Sequence, residues 1–184
     1  MPKTVLFIHS AGAQGPKQGS SGFLATLEKS LGAGYSVRHP EMPKPEKPEY
    51  NAWKVLIGKE LSKVETGGVL VGHSLGGSVL LKYLAEEQCA RTFSALFLVA
   101  APYWGLPKWN RDDFILERGF SRKVTQVRKI FIYHTKDDKI ISQEHVDRYA
   151  KTIPHATIRI VEGYGHGFET RECPELTADI RSLG

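Results

Sequence analysis

Gly68-Val69-Leu70-Val71-Gly72-His73-Ser74-Leu75-Gly76-Gly77-Ser78-Val79-Leu80-Leu81-Lys82-Tyr83-Leu84 decides how the rest of the chain is read. An apolar run enters a glycine-flanked serine and a segment of helical period leaves it, so the serine falls at a tight strand-to-helix turn. Such a turn pushes Ser74 Oγ out of the surface, where a base can reach it. Backbone crowding two residues before and two after favours Gly72 and Gly76, which carry no side chain to clash. The turn also leaves the Leu75 amide at a helix N-terminus, free to hydrogen-bond a developing oxyanion. Gly-x-Ser-x-Gly alone occurs by chance in many chains; the strand before and the helix after make this one a nucleophile elbow.

Outward from the elbow, short apolar, β-branched runs alternate with longer segments of helical period, the pattern of an α/β domain with a mostly parallel sheet. Strands are expected at 4–8, 35–39, 68–71, 95–99, 129–133 and 157–161, and helices at 23–31, 50–64, 74–87, 143–152 and 174–183. In the second helix Trp53, Leu56, Ile57, Leu61 and Val64 recur at three- and four-residue steps, which makes them a core face and not a site. Pro40, Pro43, Pro45 and Pro48 exclude helix or inner strand between the second strand and that helix. Residues 101–128 hold Tyr103, Trp104, Trp109 and Phe114 among Gly and Pro, with one short helix expected near 112–117. They are expected to rim a pocket, with Tyr103 and Trp104 as candidate wall residues.

The 184 residues fit one domain, 1–184, and suffice for a full core around a sheet without metals or disulfides. The formal charge of +5 comes from scattered Lys and Arg, densest at Arg122-Lys123 and Arg128-Lys129, with no basic, aromatic-interleaved module for nucleic acid. Cys89 and Cys173 are the two cysteines, far apart and without metal-ligand spacing, so free thiols in a reducing compartment are expected. Met1-Pro2-Lys3 runs straight into a short strand, no stretch reaches membrane-spanning length, and a cytoplasmic protein is expected. The loop from Gly12 to Gly22 lacks the Gly-Lys-Ser/Thr ending of a phosphate cradle.

A hydrolytic serine needs a base within reach and an acid to orient it. In an open parallel sheet, active groups gather beyond the carboxyl ends of strands, and most of the seven histidines fail that test. His39 leads into the proline loop, His145 sits in a helix, and His155 precedes a strand. His73 adjoins the serine with its side chain expected to point away from the hydroxyl. His166 follows the last strand in the glycine-rich loop Gly163-Tyr164-Gly165-His166-Gly167, which lets an imidazole swing over the sheet edge. The acid is sought after the preceding strand, where Asp137 and Asp138 compete and chemistry alone does not separate them. The order Ser, Asp, His is that of α/β-hydrolases. A second oxyanion donor is expected from the loop His9-Ser10-Ala11-Gly12-Ala13.

These residues together resemble the α/β-hydrolase superfamily, and more narrowly its small lid-poor serine hydrolases of the retinoblastoma-binding-protein-nine type. The resemblance runs over essentially the whole chain, through Val5-Leu6-Phe7-Ile8-His9, Met42-Pro43-Lys44-Pro45 with Trp53, the elbow, Leu98-Val99-Ala100-Ala101-Pro102, Asp137-Asp138-Lys139-Ile140-Ile141 and Gly165-His166. In such families the acid stands in Asp-x-x-Val-Pro or His-Gly-x-x-Asp, and both patterns imply Asp138, with Ser142 where proline would be and Thr135 in place of glycine. By the same analogy the donor two residues after His9 is Ala11, although His9-Ser10 stands where many relatives have His-Gly.

The expectation is a single-domain α/β-hydrolase fold, about six mostly parallel strands with helices on both faces and minimal or no cap. Ser74 would attack a carboxylic ester or related acyl bond of a small molecule, His166 would carry the proton, Asp138 would orient the imidazole, and Leu75 with Ala11 would bind the oxyanion. No cofactor, metal, nucleic acid or membrane partner is implied. An acyltransferase or thioesterase using the same groups is the alternative, and a non-catalytic interaction protein on this fold is a third reading.

Overall fold

The computed structural model describes residues 2–169 and 171–183. Six strands, β1 (Lys3–Ile8), β2 (Tyr35–Arg38), β3 (Val69–His73), β4 (Phe93–Val99), β5 (Val127–Thr135) and β6 (Thr157–Val161), form one sheet in the order β2-β1-β3-β4-β5-β6. Every pairing is parallel. Five helices connect them: α1 (Ser21–Leu31), α2 (Tyr50–Leu61), α3 (Leu75–Glu86), α4 (Gln143–Thr152) and α5 (Pro174–Arg181).

Because successive strand residues face opposite sides, each inner strand must be apolar on both faces to be covered on both. Leu6, Ile8, Leu70, Leu96, Leu98, Ile130 and Ile132 join Trp53, Ile57, Val79, Leu80 and Tyr149 in one core. Their neighbours Val5, Phe7, Val69, Val71, Phe97, Val99 and Phe131 join Phe23, Leu27, Leu176 and Ile180 in the other. Helices α2, α3 and α4 thus cover one face and α1 and α5 the other. Within the second core Phe97 and Phe131 stack with centroids 4.6 Å apart.

The chain passes from β1 outward to β2 and then returns to β3 on the other side of β1, so the strand order reverses between β1 and β3. At that point the two connections diverge to opposite faces and leave a crevice beyond the carboxyl ends. Between β4 and β5 the chain makes only two short 3-10 turns, Asp112–Phe114 and Phe120–Arg122, so no cap covers the crevice. No helix is long and apolar enough to cross a membrane among the described residues.

Candidate active site

Ser74 stands between β3 and α3 with φ 51° and ψ −121°, a conformation that a residue with a Cβ adopts only under constraint. The constraint is steric. A Cβ on Gly76 would lie 2.2 Å from the Ile8 carbonyl oxygen, and one on Gly72 would lie 2.4 Å from Gly77 Cα. The Ser74 amide donates to the Val99 carbonyl at 2.8 Å, fastening the turn to β4. Leu75 begins α3, so its N–H has no helical acceptor.

His166 Nε2 lies 3.1 Å from Ser74 Oγ, and His166 Nδ1 lies 2.9 Å from Asp138 Oδ2. The other carboxylate oxygen, Asp138 Oδ1, accepts from the Ile140 and Ile141 amides at 2.8 and 2.9 Å. Burial opposes charge on Asp138, yet the hydrogen bond from His166 and those from the Ile141 and Ile140 amides outweigh it and bring its pKa below the ordinary value. Its side chain is fully covered, while that of His166 is 17% exposed, so solvent reaches the ring and not the carboxylate.

In the loop after β1, the Met42 amide donates to His9 Nε2 at 2.8 Å. A neutral His9 therefore carries its proton on Nδ1 and donates it to the Ser10 carbonyl at 2.7 Å. Gln14 Nε2 donates to the same carbonyl at 3.1 Å. No peptide among the described residues is cis, so with the Ser10 C=O held on that side the Ala11 N–H points to the other. Ala11, Leu75, Ser74 and His166 all line one cavity of about 500 Å3. The rest of its lining is mainly apolar, including Pro102, Trp104, Trp109, Phe114 and Ile140, with Ser10, His73 and Arg111 among the polar residues. Trp104 packs on Phe114 and Trp109 with centroids 4.8 and 5.3 Å apart.

Comparison with protein families matches residues 18–170 to the family described as Serine hydrolase. The chain belongs to that family. No curated protein matches by sequence. Among solved structures, this serine hydrolase is similar to the ydeN gene product from B. subtilis, at 22% identity and a TM-score of 0.79, over 98% of this chain and 98% of that one. It is also similar to an esterase, EaEST, from Exiguobacterium antarcticum (17% identity, TM-score 0.68, 98% and 91% covered). A further likeness is to a serine hydrolase involved in carbazole degradation, the CarC enzyme (17% identity, TM-score 0.72, 98% and 90% covered). At these identities the likenesses establish the α/β-hydrolase fold.

Of the residues singled out by sequence, Ser74, His166, Leu75 and Ala11 line one cavity of the serine hydrolase, and Asp138 sits behind His166, bonded to its ring. Trp104 lines the cavity too, but Tyr103 does not; it faces a flanking hollow of about 940 Å3 with Arg118, Phe120 and His155. The Tyr103 amide is tied to His145 Nδ1 at 2.8 Å, which turns this residue toward α4. Asp137 turns both oxygens away from His166: Oδ1 accepts from the Gly163 amide at 2.9 Å and Oδ2 from the Gly165 amide at 3.0 Å. His73 makes its hydrogen bonds to the Ser20 hydroxyl and the His166 carbonyl, at 2.7 and 2.9 Å. Read from the sequence, His73 has no role, and Asp137 stands only as a competitor of Asp138 for the acid. The available signal was their position, each immediately before a residue of the Ser74–His166–Asp138 row.

Proposed function

We propose that this serine hydrolase cleaves carboxylic esters of small apolar acyl groups through an acyl-enzyme, as one domain spanning residues 1–184. The observation that supports this reading best is the continuous row from Ser74 Oγ through His166 to Asp138, at 3.1 and 2.9 Å. Ser74 Oγ attacks the carbonyl carbon as its proton passes to His166 Nε2, and the carbonyl oxygen gains charge opposite the Leu75 and Ala11 amides. Collapse breaks the bond to the alcohol, which leaves with the proton from Nε2. Water then repeats the sequence on the acyl-serine and releases the acid. Throughout, Asp138 holds the imidazole in one tautomer and stabilises its protonated form.

The apolar wall of Trp104, Trp109, Phe114 and Ile140 suits an acyl chain more than a charged one. The test is a panel of 4-nitrophenyl esters from acetyl to octanoyl, run on the native protein and on Ser74→Ala. Turnover falls by roughly three to six orders of magnitude in Ser74→Ala with the fold retained. Undiminished turnover in that variant overturns the reading, and ester formation with an added alcohol in preference to free acid moves it to acyl transfer.

A further inference from the structure

We infer that His73 and Asp137 are positioning residues which together clamp the backbone of the loop carrying His166; this rests on the Ser74–His166–Asp138 reading above. Among its described residues the loop between β6 and α5 contains no helix or strand, and it takes positive φ at Gly163, Gly165 and Phe168. Asp138 holds the ring of His166 but nothing of its backbone. A ring tethered at one nitrogen on a loop free to shift would not keep its other nitrogen 3.1 Å from Ser74 Oγ.

The two residues in front hold the backbone beside the ring. Asp137 takes the amides of Gly163 and Gly165, one on each oxygen, and is itself anchored by the Thr135 hydroxyl at the buried end of β5. His73 takes the carbonyl of His166 itself. Backbone groups before the ring and at its own residue are thus tied to the ends of β5 and β3.

The direction of the His73 bonds follows from proton counting. A carbonyl only accepts, so His73 Nε2 must carry the proton, and neutral His73 then offers a lone pair at Nδ1 to the Ser20 hydroxyl. Having spent its one proton, Ser20 Oγ accepts from the Ser10 amide at 2.8 Å and from the Ser10 hydroxyl at 3.0 Å. The chain of bonds therefore runs from the loop that bears Ala11, through the elbow, to the loop that bears His166. Burial, reinforced by the neighbouring His166, keeps His73 neutral by pushing its pKa down to about 4, so the donor pattern holds across the neutral range. An uncharged ring also places no competing cation beside His166, whose centroid is 5.5 Å away.

The experiment measures kcat and KM for a soluble 4-nitrophenyl ester, with thermal melts, on His73→Phe, His73→Asn, His73→Gln, Asp137→Ala and the His73→Phe/Asp137→Ala double variant. His73→Phe and Asp137→Ala each lower kcat about 10- to 100-fold while KM stays within about threefold, because the main loss is of His166 geometry. Gln, whose amide reaches the Nε2 position, recovers activity to within about fivefold of native; the shorter Asn does not. Both clamps serve one loop, so the double variant falls no more than about threefold below the worse single variant. Native kcat in folded His73→Phe and Asp137→Ala overturns the inference. So does equal activity of the Gln and Asn variants, a comparison that stands even where Phe fails to fold. Ser74→Ala and His166→Ala run alongside: if they too retain activity the underlying reading has failed, and if they are dead while the clamp variants are native only this inference has.

Discussion

The turn that carries Ser74 and the loop that carries His166 meet across a 3.1 Å hydrogen bond, and they are held in opposite ways. The turn is held by exclusion. Gly72, Gly76 and Gly77 fit where a Cβ would run into backbone or a neighbouring Cβ at under 3.0 Å, and β3 and α3 extend from it on either side. The loop is held by attraction: distant side chains grip its peptide groups. A serine hydroxyl can be made rigid by local sequence, whereas an imidazole brought from the far end of the chain depends on contacts made only when the domain has closed.

If that contrast is right, equal chemical changes in the two regions should have unequal consequences. The largest effect is expected at Gly76→Ala, where the new Cβ meets backbone that cannot move without separating β1 from α3. We expect a destabilisation above about 4 kcal/mol in urea unfolding, or no folded protein. A loss under about 1 kcal/mol would show that the elbow yields, against the contrast.

A smaller effect is expected from acid, which leaves steric exclusion untouched and attacks the attractive hold. His73 binds a proton near its ordinary value of 6.5 when unfolded and only near 4 when folded. Between those values the unfolded chain carries the extra proton, so unfolding free energy falls as pH drops through the window, by about 3 kcal/mol at most from this residue. Burial also lowers the pKa of His9, His134 and His145, and each adds in the same direction. Asp137, held down to about 2 by the Thr135 hydroxyl and the loop amides, keeps its contribution above the ordinary carboxylate value and loses it only as pH falls toward 2. Urea unfolding at pH 7 and pH 4.5 should therefore show a smaller loss in His73→Gln than in the native protein, and identical losses would count against a buried neutral imidazole.

The smallest effect is expected at Gly165→Ala, in the loop. Its φ is +57°, but a Cβ there meets nothing within 4 Å, so only the backbone preference is lost. A cost of about 1 kcal/mol is expected from the same unfolding measurement. A loss as large as that of Gly76→Ala would erase the distinction between the two regions.

The same distinction governs what could be read without coordinates. All six strands and five helices were legible because each inner strand holds a run of buried apolar residues and segments of helical period stand between the strands. The differences lie at ends. Helix α2 stops at Leu61 and not at 64, because the chain turns there through Lys63 N–H to Glu60 C=O and Val64 N–H to Leu61 C=O, with Val64 still buried. Strand β5 runs Val127–Thr135, beyond 129–133 at both ends, because it pairs with β4 on one side and β6 on the other. Ser74 was legible from its glycines, and His166 from where its loop falls after β6. Asp137 and Asp138 were indistinguishable as side chains, since only the folded path decides which carboxylate meets the ring and which meets the amides. His73 was the hardest to read, because its partners Ser20 and His166 lie 53 and 93 residues away.

The most direct test of the central claim, that His166 and Asp138 make Ser74 a nucleophile, is the rate at which a fluorophosphonate modifies the native protein, read by intact mass and peptide mapping. The account predicts one adduct, on Ser74, absent in Ser74→Ala and formed at least about a thousandfold more slowly in His166→Ala. An adduct on another residue, or an unchanged rate in His166→Ala, would contradict it.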